Sequence, residues 1–444
     1  MNSNEMVSKL LIASVPKAAW PIMLSAGLFC FYQFMLITIF NALNSHILIE
    51  FQLDATSLGH LSSIYFLSSI VSFVPAGLIL DHYSTRKILL MAMSISVLCT
   101  FAFAAAQSIP MAMTARFVSG FSGAFSFIGC IRLATRWYSK RHLARVVGLV
   151  VAFGTLGGIV SQAPMTYLMD IVGWRWALFF MACTGVLMLL PMYRFILDSP
   201  SGEVAYDAAH QSASTLKGFL AIFITALRNG QNWLCGLYIC LLNLPVFILG
   251  AMWGTLFLTQ VHHLGRVQSS LVTSMIFVGM IIGSPTMGWL SDRWASRKKP
   301  MIIVALLSIA PMLMLTGSEI LSFNSLLVIF FAMGFLISAQ VIGYPLVAES
   351  NSSAITGTAE SLASTLMIGG GLCQYLFGWL MDLEWGHNVA NGVPIYSLTD
   401  YQHAIWILPI AGVLSVIMAI LSRESNLNTP PIEQRLTADL ANKP

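Results

Sequence analysis

Apolar residues in this chain come in blocks of about twenty, set apart by short polar segments. A helix rises about 1.5 Å per residue and the hydrocarbon core of a bilayer is about 30 Å thick, so a spanning helix takes about 20 mostly apolar residues. Twelve stretches fit that description: 19–41, 58–80, 88–106, 111–135, 146–168, 174–196, 233–259, 271–290, 301–316, 326–347, 359–381 and 405–421. Two polar stretches interrupt the series. Residues 198–232 contain an amphipathic run, 215–228, of the kind that lies on a membrane surface. Residues 422–444 include Pro430-Pro431 and show no apolar period, so no element is predicted there. The predicted division is a six-helix lobe over 1–197, an inter-lobe loop over 198–232, a second six-helix lobe over 233–421 and a tail over 422–444.

Composition agrees with the pattern. Of 444 residues, 57% are hydrophobic and 9% charged, and the mean hydropathy is +0.79. An ordinary soluble domain carries about 25% charged residues, so this chain has too few charges to solvate a soluble surface. No basic stripe with interleaved aromatics is present, which argues against a nucleic-acid partner. The seven cysteines sit in apolar runs without C-x-x-C spacing and read as small buried hydrophobes. The first apolar segment is too long for a signal-peptide core and lacks a small-residue cleavage site, so the first helix is expected to be retained. No metal motif and no cofactor are predicted.

Charge placement orients the chain. With the N-terminus in the cytoplasm, eighteen of the 22 Lys and Arg residues fall on the inner side. Arg175 and Arg266 fall in outer loops, and Arg116 and Arg132 lie within the fourth helix. The positive-inside rule therefore places both termini in the cytoplasm. The one N-x-S/T site, at Asn351, would be cytoplasmic, and the outer loops are short; both favour a bacterial inner membrane.

An internal repeat sets the architecture. Shifted by 211 residues, 61–87 overlays 272–298 without a gap: Ser63, Phe66, Gly77, Asp81, Arg86 and Lys87 fall on Ser274, Phe277, Gly288, Asp292, Arg297 and Lys298. The copies occupy the same helix junction in each half, so six helices are repeated in parallel orientation, an architecture of carriers. The fold class is an all-α polytopic membrane protein with twelve transmembrane helices in two parallel six-helix pseudo-repeats.

Gly77-x-x-x-Asp81-x-x-x-x-Arg86-Lys87 resembles the signature loop of the major facilitator superfamily, and Gly288-x-Leu290-x-Asp292-Arg293-x-x-x-Arg297-Lys298 resembles its second copy. The first copy departs from the pattern, with His82 where Arg is usual and Ser84 where Gly is usual. Arg116-x-x-x-Gly120-x-x-Gly123 is similar to the superfamily's motif in the fourth helix, and Gly173-Trp174-Arg175 to its lead-in to the sixth. The chain also looks similar to compact bacterial twelve-helix nutrient importers. The Gly-Pro-x-x-Gly-Gly of drug antiporters is absent from the fifth helix, which has Gly154-Thr155-Leu156-Gly157-Gly158 and a proline only at Pro164. The resemblance implies alternating access, and the missing motif favours uptake.

In chemical terms, Asp81 and Asp292 stand at helix ends, where a carboxylate accepts from exposed N–H groups of a neighbouring helix start. Arg86 and Arg297 follow five residues later and can bond those acids or lipid phosphates. A glycine before each acid permits close helix approach. Lys87, Arg293 and Lys298 complete a cluster that would hold the lobes in one state and release them in the other; the alternative is capping and topology alone. Arg132 and Glu360 lie at similar depth near the inner boundary. They would pair across the lobes when the carrier faces outward, or else serve separately as a lipid-phosphate contact and a helix-start acid.

By resemblance the first, fourth, seventh and tenth helices line the central cavity. Their polar residues are the substrate candidates: Tyr32, Gln33, Asn41, Arg116, Ser119, Tyr238, Asn243, Gln340 and Tyr344. For any one of them, packing or a satisfied helix–helix hydrogen bond is a commoner role than a ligand contact. Arg116 in particular suits a substrate carboxylate or phosphate, or a structural bond to a helix carbonyl. Gly120-Phe121-Ser122-Gly123 matches an intramembrane serine-protease motif, but no histidine lies in a later helix core to serve as base, so no enzyme is predicted. The function expected is proton-coupled uptake of a small polar metabolite (amino acid, short peptide or organic anion), with substrate, proton and membrane lipid as partners. The alternatives are an efflux antiporter of a small molecule or siderophore, and a non-transporting receptor.

Overall fold

The computed structural model describes residues 19–138, 140–198, 223–317, 320–390 and 393–424. The first lobe comprises α1 (Ala19–Thr38), α2 (Phe40–Phe51), α3 (Ala55–His82), α4 (Thr85–Ala104), α5 (Ile109–Trp137), α6 (Lys140–Val160), α7 (Ala163–Val172) and α8 (Trp174–Phe195). The second begins with α9 (Gly230–Leu242), a π-helical segment (Val246–Trp253), α10 (Gly254–Gln260), α11 (Arg266–Arg293) and α12 (Lys298–Met314). It continues through α13 (Phe323–Ile337), a 3-10 segment (Ser338–Ile342), α14 (Gly343–Glu349), α15 (Ser353–Gly369), a 3-10 turn (Gly370–Leu372), α16 (Cys373–Asp382), α17 (Leu398–Ile405) and α18 (Ile407–Leu421). A two-residue antiparallel pair, β1 (Val389–Ala390) with β2 (Val393–Pro394), lies in the loop before α17. Of the amphipathic run predicted at 215–228, residues 223–228 are helical and the remainder lies outside the described residues.

Among the described residues, nine helical stretches are long and apolar enough to cross a membrane. Three predicted spans fall on less uniform helices. α3 is diluted by serines at 57, 62, 63, 68, 69 and 72; α12 has 17 residues; the eleventh predicted span is split at Gly370–Leu372.

The breaks in other helices have local causes. Pro245 has no N–H to donate and crowds the preceding turn, so α9 stops at Leu242 and resumes with wide π-helical turns. Pro164 ends α6 in the same way, leaving Ser161 and Gln162 between α6 and α7. The first helix is longer than the predicted 19–41; after a turn at Ile39 it runs to Phe51 and closes on Gln52 in the left-handed region.

The two lobes pack alike. In the first, α3 lies on α5, α1 on α6 and α4 on α8; in the second, α11 lies on α13, α9 on α15 and α12 on α18. These are the same three pairings, second on fourth, first on fifth and third on sixth. The repeat extends to single atoms. A Cβ on Gly120 would overlap the Tyr65 carbonyl, and one on Gly334 the Ile276 carbonyl; Tyr65 and Ile276 are 211 residues apart, the offset of the sequence repeat. Only glycine lets the second and fourth helices approach so closely. Between lobes, α3 packs on α16, and α6 and α7 pack on α11.

Candidate functional site

We call the end of the bundle that the charge distribution assigns to the cytoplasm the inner end, and the opposite one the outer end. The lobes meet at the outer end. Asn41, just beyond the break in the first helix, is wholly buried there. Its Nδ2 donates to Gln162 Oε1 (2.6 Å) and Thr273 Oγ1 (3.0 Å), and its Oδ1 accepts from the Thr255 N–H (2.8 Å). Gln162 occupies the break that Pro164 opens, and its Nε2 donates to the Gly250 carbonyl at 2.9 Å. One amide pair of the first lobe thus holds three groups of the second, in surroundings where an unmade hydrogen bond costs about 1–3 kcal/mol.

Further bonds surround this hub. Asn44 donates to the Met252 carbonyl (2.9 Å), Thr166 shares a proton with Ser270 (2.7 Å), and Ser62 donates to Gln374 Oε1 (2.7 Å). Asp382 of the second lobe accepts from the Thr56 N–H (2.7 Å) and from the Tyr396 hydroxyl (2.8 Å), whose oxygen accepts from the Ala55 N–H (2.8 Å). The first turn of α3 is therefore capped across the lobe boundary. Arg266 pairs with Asp170 at 2.6 Å, again between lobes. His46 stands beside this pair. Burial lowers its pKa to about 4, the Arg266 charge acts in the same direction, and Asp170 opposes it.

At the inner end the polar ties among the described residues run within each lobe. Asp198, just past α8, accepts from the Ser84 hydroxyl and the Arg86 N–H (2.9 Å) at the start of α4 and lies 3.8 Å from Arg136. Glu424, just past α18, accepts from the Ser296 hydroxyl, the Arg297 N–H (2.8 Å) and the Lys298 N–H. Arg297 bonds Asp292 (2.8 Å) and Glu349 (2.9 Å). Burial works against its charge, but the bonds to Glu349 and Asp292 outweigh this and hold its pKa above the ordinary value. The Arg86 guanidinium donates to the Tyr193 carbonyl, the Lys87 N–H to Ser84, the Lys298 ammonium to the Ser422 carbonyl, and Arg293 lies over Trp289. The Asp81 side chain lies outside the described residues.

Gly77 and Gly288 do not serve close approach here: a Cβ on either would meet nothing within 4 Å. Gly120 and Gly334, where helices of one lobe cross, are among the tightly packed glycines instead. Arg132 on α5 and Glu360 on α15 are both partly exposed, and among the described ion pairs none joins them.

Most of the candidate substrate residues bond to the protein itself. Tyr32 donates to Thr100 (2.8 Å); Gln33 donates to Ser96 (2.7 Å) and accepts from Tyr65 (2.7 Å). Tyr238 donates to the Met301 carbonyl (3.3 Å), Gln340 to Asn243 Oδ1 (2.8 Å), and Tyr344 to Met367 Sδ (3.4 Å). Arg116 is buried inside the first lobe. It donates to the carbonyls of Leu36 (2.7 Å) and Ser62 (3.3 Å), with its guanidinium against the Phe40 and Tyr65 rings. Among these candidates, three buried polar atoms keep free capacity: Gln340 Oε1, Arg116 Nε and Ser119 Oγ.

Sequence reasoning missed Gln162, Thr273, Gln374, Asp382, Asp198 and Glu424. For Gln162 and Gln374 the signal was present, a primary amide inside an apolar helix. For Asp198 and Glu424 it was an acid placed directly after the sixth helix of each lobe.

The Major Facilitator Superfamily profile matches residues 23–372. A "Probable hexose phosphate transport protein" of Chlamydia pneumoniae is 23% identical over 264 residues, 54% of this chain and 57% of that protein, so the match spans little over half of the relative. The "Hexose-6-phosphate:phosphate antiporter" of Escherichia coli K12 is 22% identical over 435 residues, 90% of each chain. Among solved structures, a D-xylose-proton symporter superposes with a TM-score of 0.73 at 16% identity, over 93% of this chain and 99% of that one. With the profile covering most of the chain and the repeat visible in the packing of both lobes, this protein belongs to the major facilitator superfamily of membrane transporters.

Proposed function

We propose that the protein imports a small organic anion bearing one carboxylate or phosphate group, by alternating access coupled to protons, across a bacterial inner membrane with both chain termini in the cytoplasm. The observation that carries this reading is the asymmetry of the inter-lobe bonds. Asn41, Gln162, Asp382 and Arg266 join the lobes at the outer end, whereas the Asp198, Glu424 and Arg297 clusters tie each lobe to itself at the inner end. That is the arrangement of a carrier closed outward and released inward. An anionic substrate accords with the likeness to hexose phosphate transport proteins. Glu360, partly buried on α15, is the carboxylate placed to take up a proton.

A second reading, exchange of an organic phosphate for inorganic phosphate, is favoured by the likeness to the Escherichia coli hexose-6-phosphate:phosphate antiporter. Uptake by proteoliposomes separates the two. Labelled hexose 6-phosphates, dicarboxylates and amino acids are offered under an inward proton gradient, with and without phosphate inside. Accumulation that a protonophore abolishes supports import. Accumulation that ignores the protonophore but requires internal phosphate gives exchange, and binding without any flux gives a receptor.

A further inference from the structure

Phe66 on α3 and Phe277 on α11 are 211 residues apart, the offset of the repeat, and both are wholly buried. Each ring crosses the boundary between the lobes and rests on a glycine of the other one. A Cβ on Gly371, in the 3-10 turn that splits the eleventh span, would overlap the Phe66 ring. A Cβ on Gly158, in the last turn of α6, would lie 3.0 Å from the Phe277 ring. The π-helical segment backs both rings. Phe66 meets Phe247 edge to face at 5.3 Å between centroids, and a Cβ on Gly250 would lie 3.1 Å from Phe277 Cζ.

A layer of hydrogen bonds repeats in the same order one turn nearer the outer end. Ser62 precedes Phe66 by four residues and Thr273 precedes Phe277 by four, so each pair shares a helix face. Ser62 donates to Gln374 Oε1 at 2.7 Å, and Thr273 to Gln162 Oε1 at 3.0 Å. Both amides in turn donate to the π-helical segment, Gln374 to the Phe247 carbonyl (2.8 Å) and Gln162 to that of Gly250 (2.9 Å). The two crossings differ in tightness. Between α3 and α16 the backbones themselves meet: a Cβ on Gly59 would lie 2.7 Å from the Gln374 carbonyl oxygen, and one on Gly378 would overlap that of Ala55. Between α7 and α11 the contact is made by side chains, Thr166 with Ser270 and Asp170 with Arg266.

We propose that Phe66 and Phe277 are the steric stops of the outer closure. Each ring reaches the floor of its glycine notch only when the outer ends have met, and the depth of the notch, not the bond layer above it, sets how closely the lobes approach. The physical reason is a difference in stiffness. An N–H···O bond is satisfied anywhere between about 2.7 and 3.2 Å, whereas close-packed atoms resist overlap steeply. The stop at Gly371 is the harder one, since a single added carbon there has no room and the backbones beside it already touch. The inference rests on reading this state as closed at the outer end; it does not depend on the solute or on proton coupling.

The test reads lobe separation in the full chain, with spin labels at Ile49 and Val389, exposed positions at the outer end of each lobe, and pulsed electron resonance. Gly371→Ala puts one methyl group under the Phe66 ring and should raise the ratio of open to closed molecules about tenfold, the effect of a typical overpacked contact. Gly158→Ala should shift it less. Gly371→Ala combined with Phe66→Val, which removes the clashing ring, should return the distance distribution to that of the wild type. Gly158→Ala combined with Phe277→Val should do the same. This exchange of sizes separates a stop from general loss of stability, which a second core substitution would deepen. A Gly371→Ala distribution equal to that of the wild type, or one that Phe66→Val fails to restore, would overturn the proposal. Should Gly371→Ala not fold, the Gly158 and Phe277 pair answers the question with the same two outcomes. Asn41→Ala tests the underlying reading by itself. If it lengthens the distances and Gly371→Ala does not, the outer closure stands and the stop falls; if neither moves them, both fall.

Discussion

Asp198 and Glu424 hold the same office in the two lobes: each follows the lobe's sixth helix and caps the start of its third through a serine hydroxyl and backbone N–H groups, that of Arg86 in the first lobe and those of Arg297 and Lys298 in the second. A carboxylate at this place satisfies donors that have no partner within their own helix and meets the positive end of the helix dipole. The two acids thereby fix the inner ends of α4 and α12.

Removing either cap should destabilise its lobe. Asp198→Ala and Glu424→Ala are each expected to cost about 0.5–2 kcal/mol. Asp198 should cost more, because its side chain is 14% exposed and also faces Arg136, while Glu424 is exposed. Thermal unfolding of the two variants checks the order, and a larger loss for Glu424→Ala would contradict it.

Asn41→Ala removes two bonds between the lobes, to Thr273 and Thr255, and one to Gln162 within the first lobe. The variant is expected to populate the outward-open state. Spin labels at Ile49 and Val389, exposed positions at the outer end of each lobe, should show a longer distance distribution by pulsed electron resonance than the same labels on the wild-type background.

His46 makes the outer closure sensitive to acid. Its pKa in the closed structure is about 4, below the usual 6.5, so an open or unfolded state binds more protons. Stability must then fall as pH drops, beginning near 6.5 and levelling out below about 4. His46→Gln should flatten that part of a Tm-against-pH profile, leaving the carboxylates to account for what remains.

Arg132 and Glu360 are expected to meet only when the inner end closes. Arg132→Glu and Glu360→Arg should each reduce transport, and the double exchange should restore a substantial part of it. Equal or additive damage in the double variant would place the two residues in unrelated roles.

Many of the buried hydroxyls and amides bond to neighbouring helices. How far that was legible in the chain differs from one level to the next. The run length of apolar residues and the 211-residue echo of Gly77–Lys87 in Gly288–Lys298 determined the helices and the parallel repeat, because both are properties of one segment or of two aligned segments. Charge placement likewise predicts an orientation from local counts. Only the tertiary structure decided which polar side chains face one another. Tyr32, Gln33, Tyr238 and Asn243 were eligible for substrate or for a neighbouring helix, and rotation of each helix about its axis settled them on Thr100, Ser96, Met301 and Gln340. Asn41 found Gln162 and Thr273 because proline breaks and a helix turn brought three distant segments to one depth. Such partnerships depend on the angle and register of packed helices, which hydrophobic spacing does not encode.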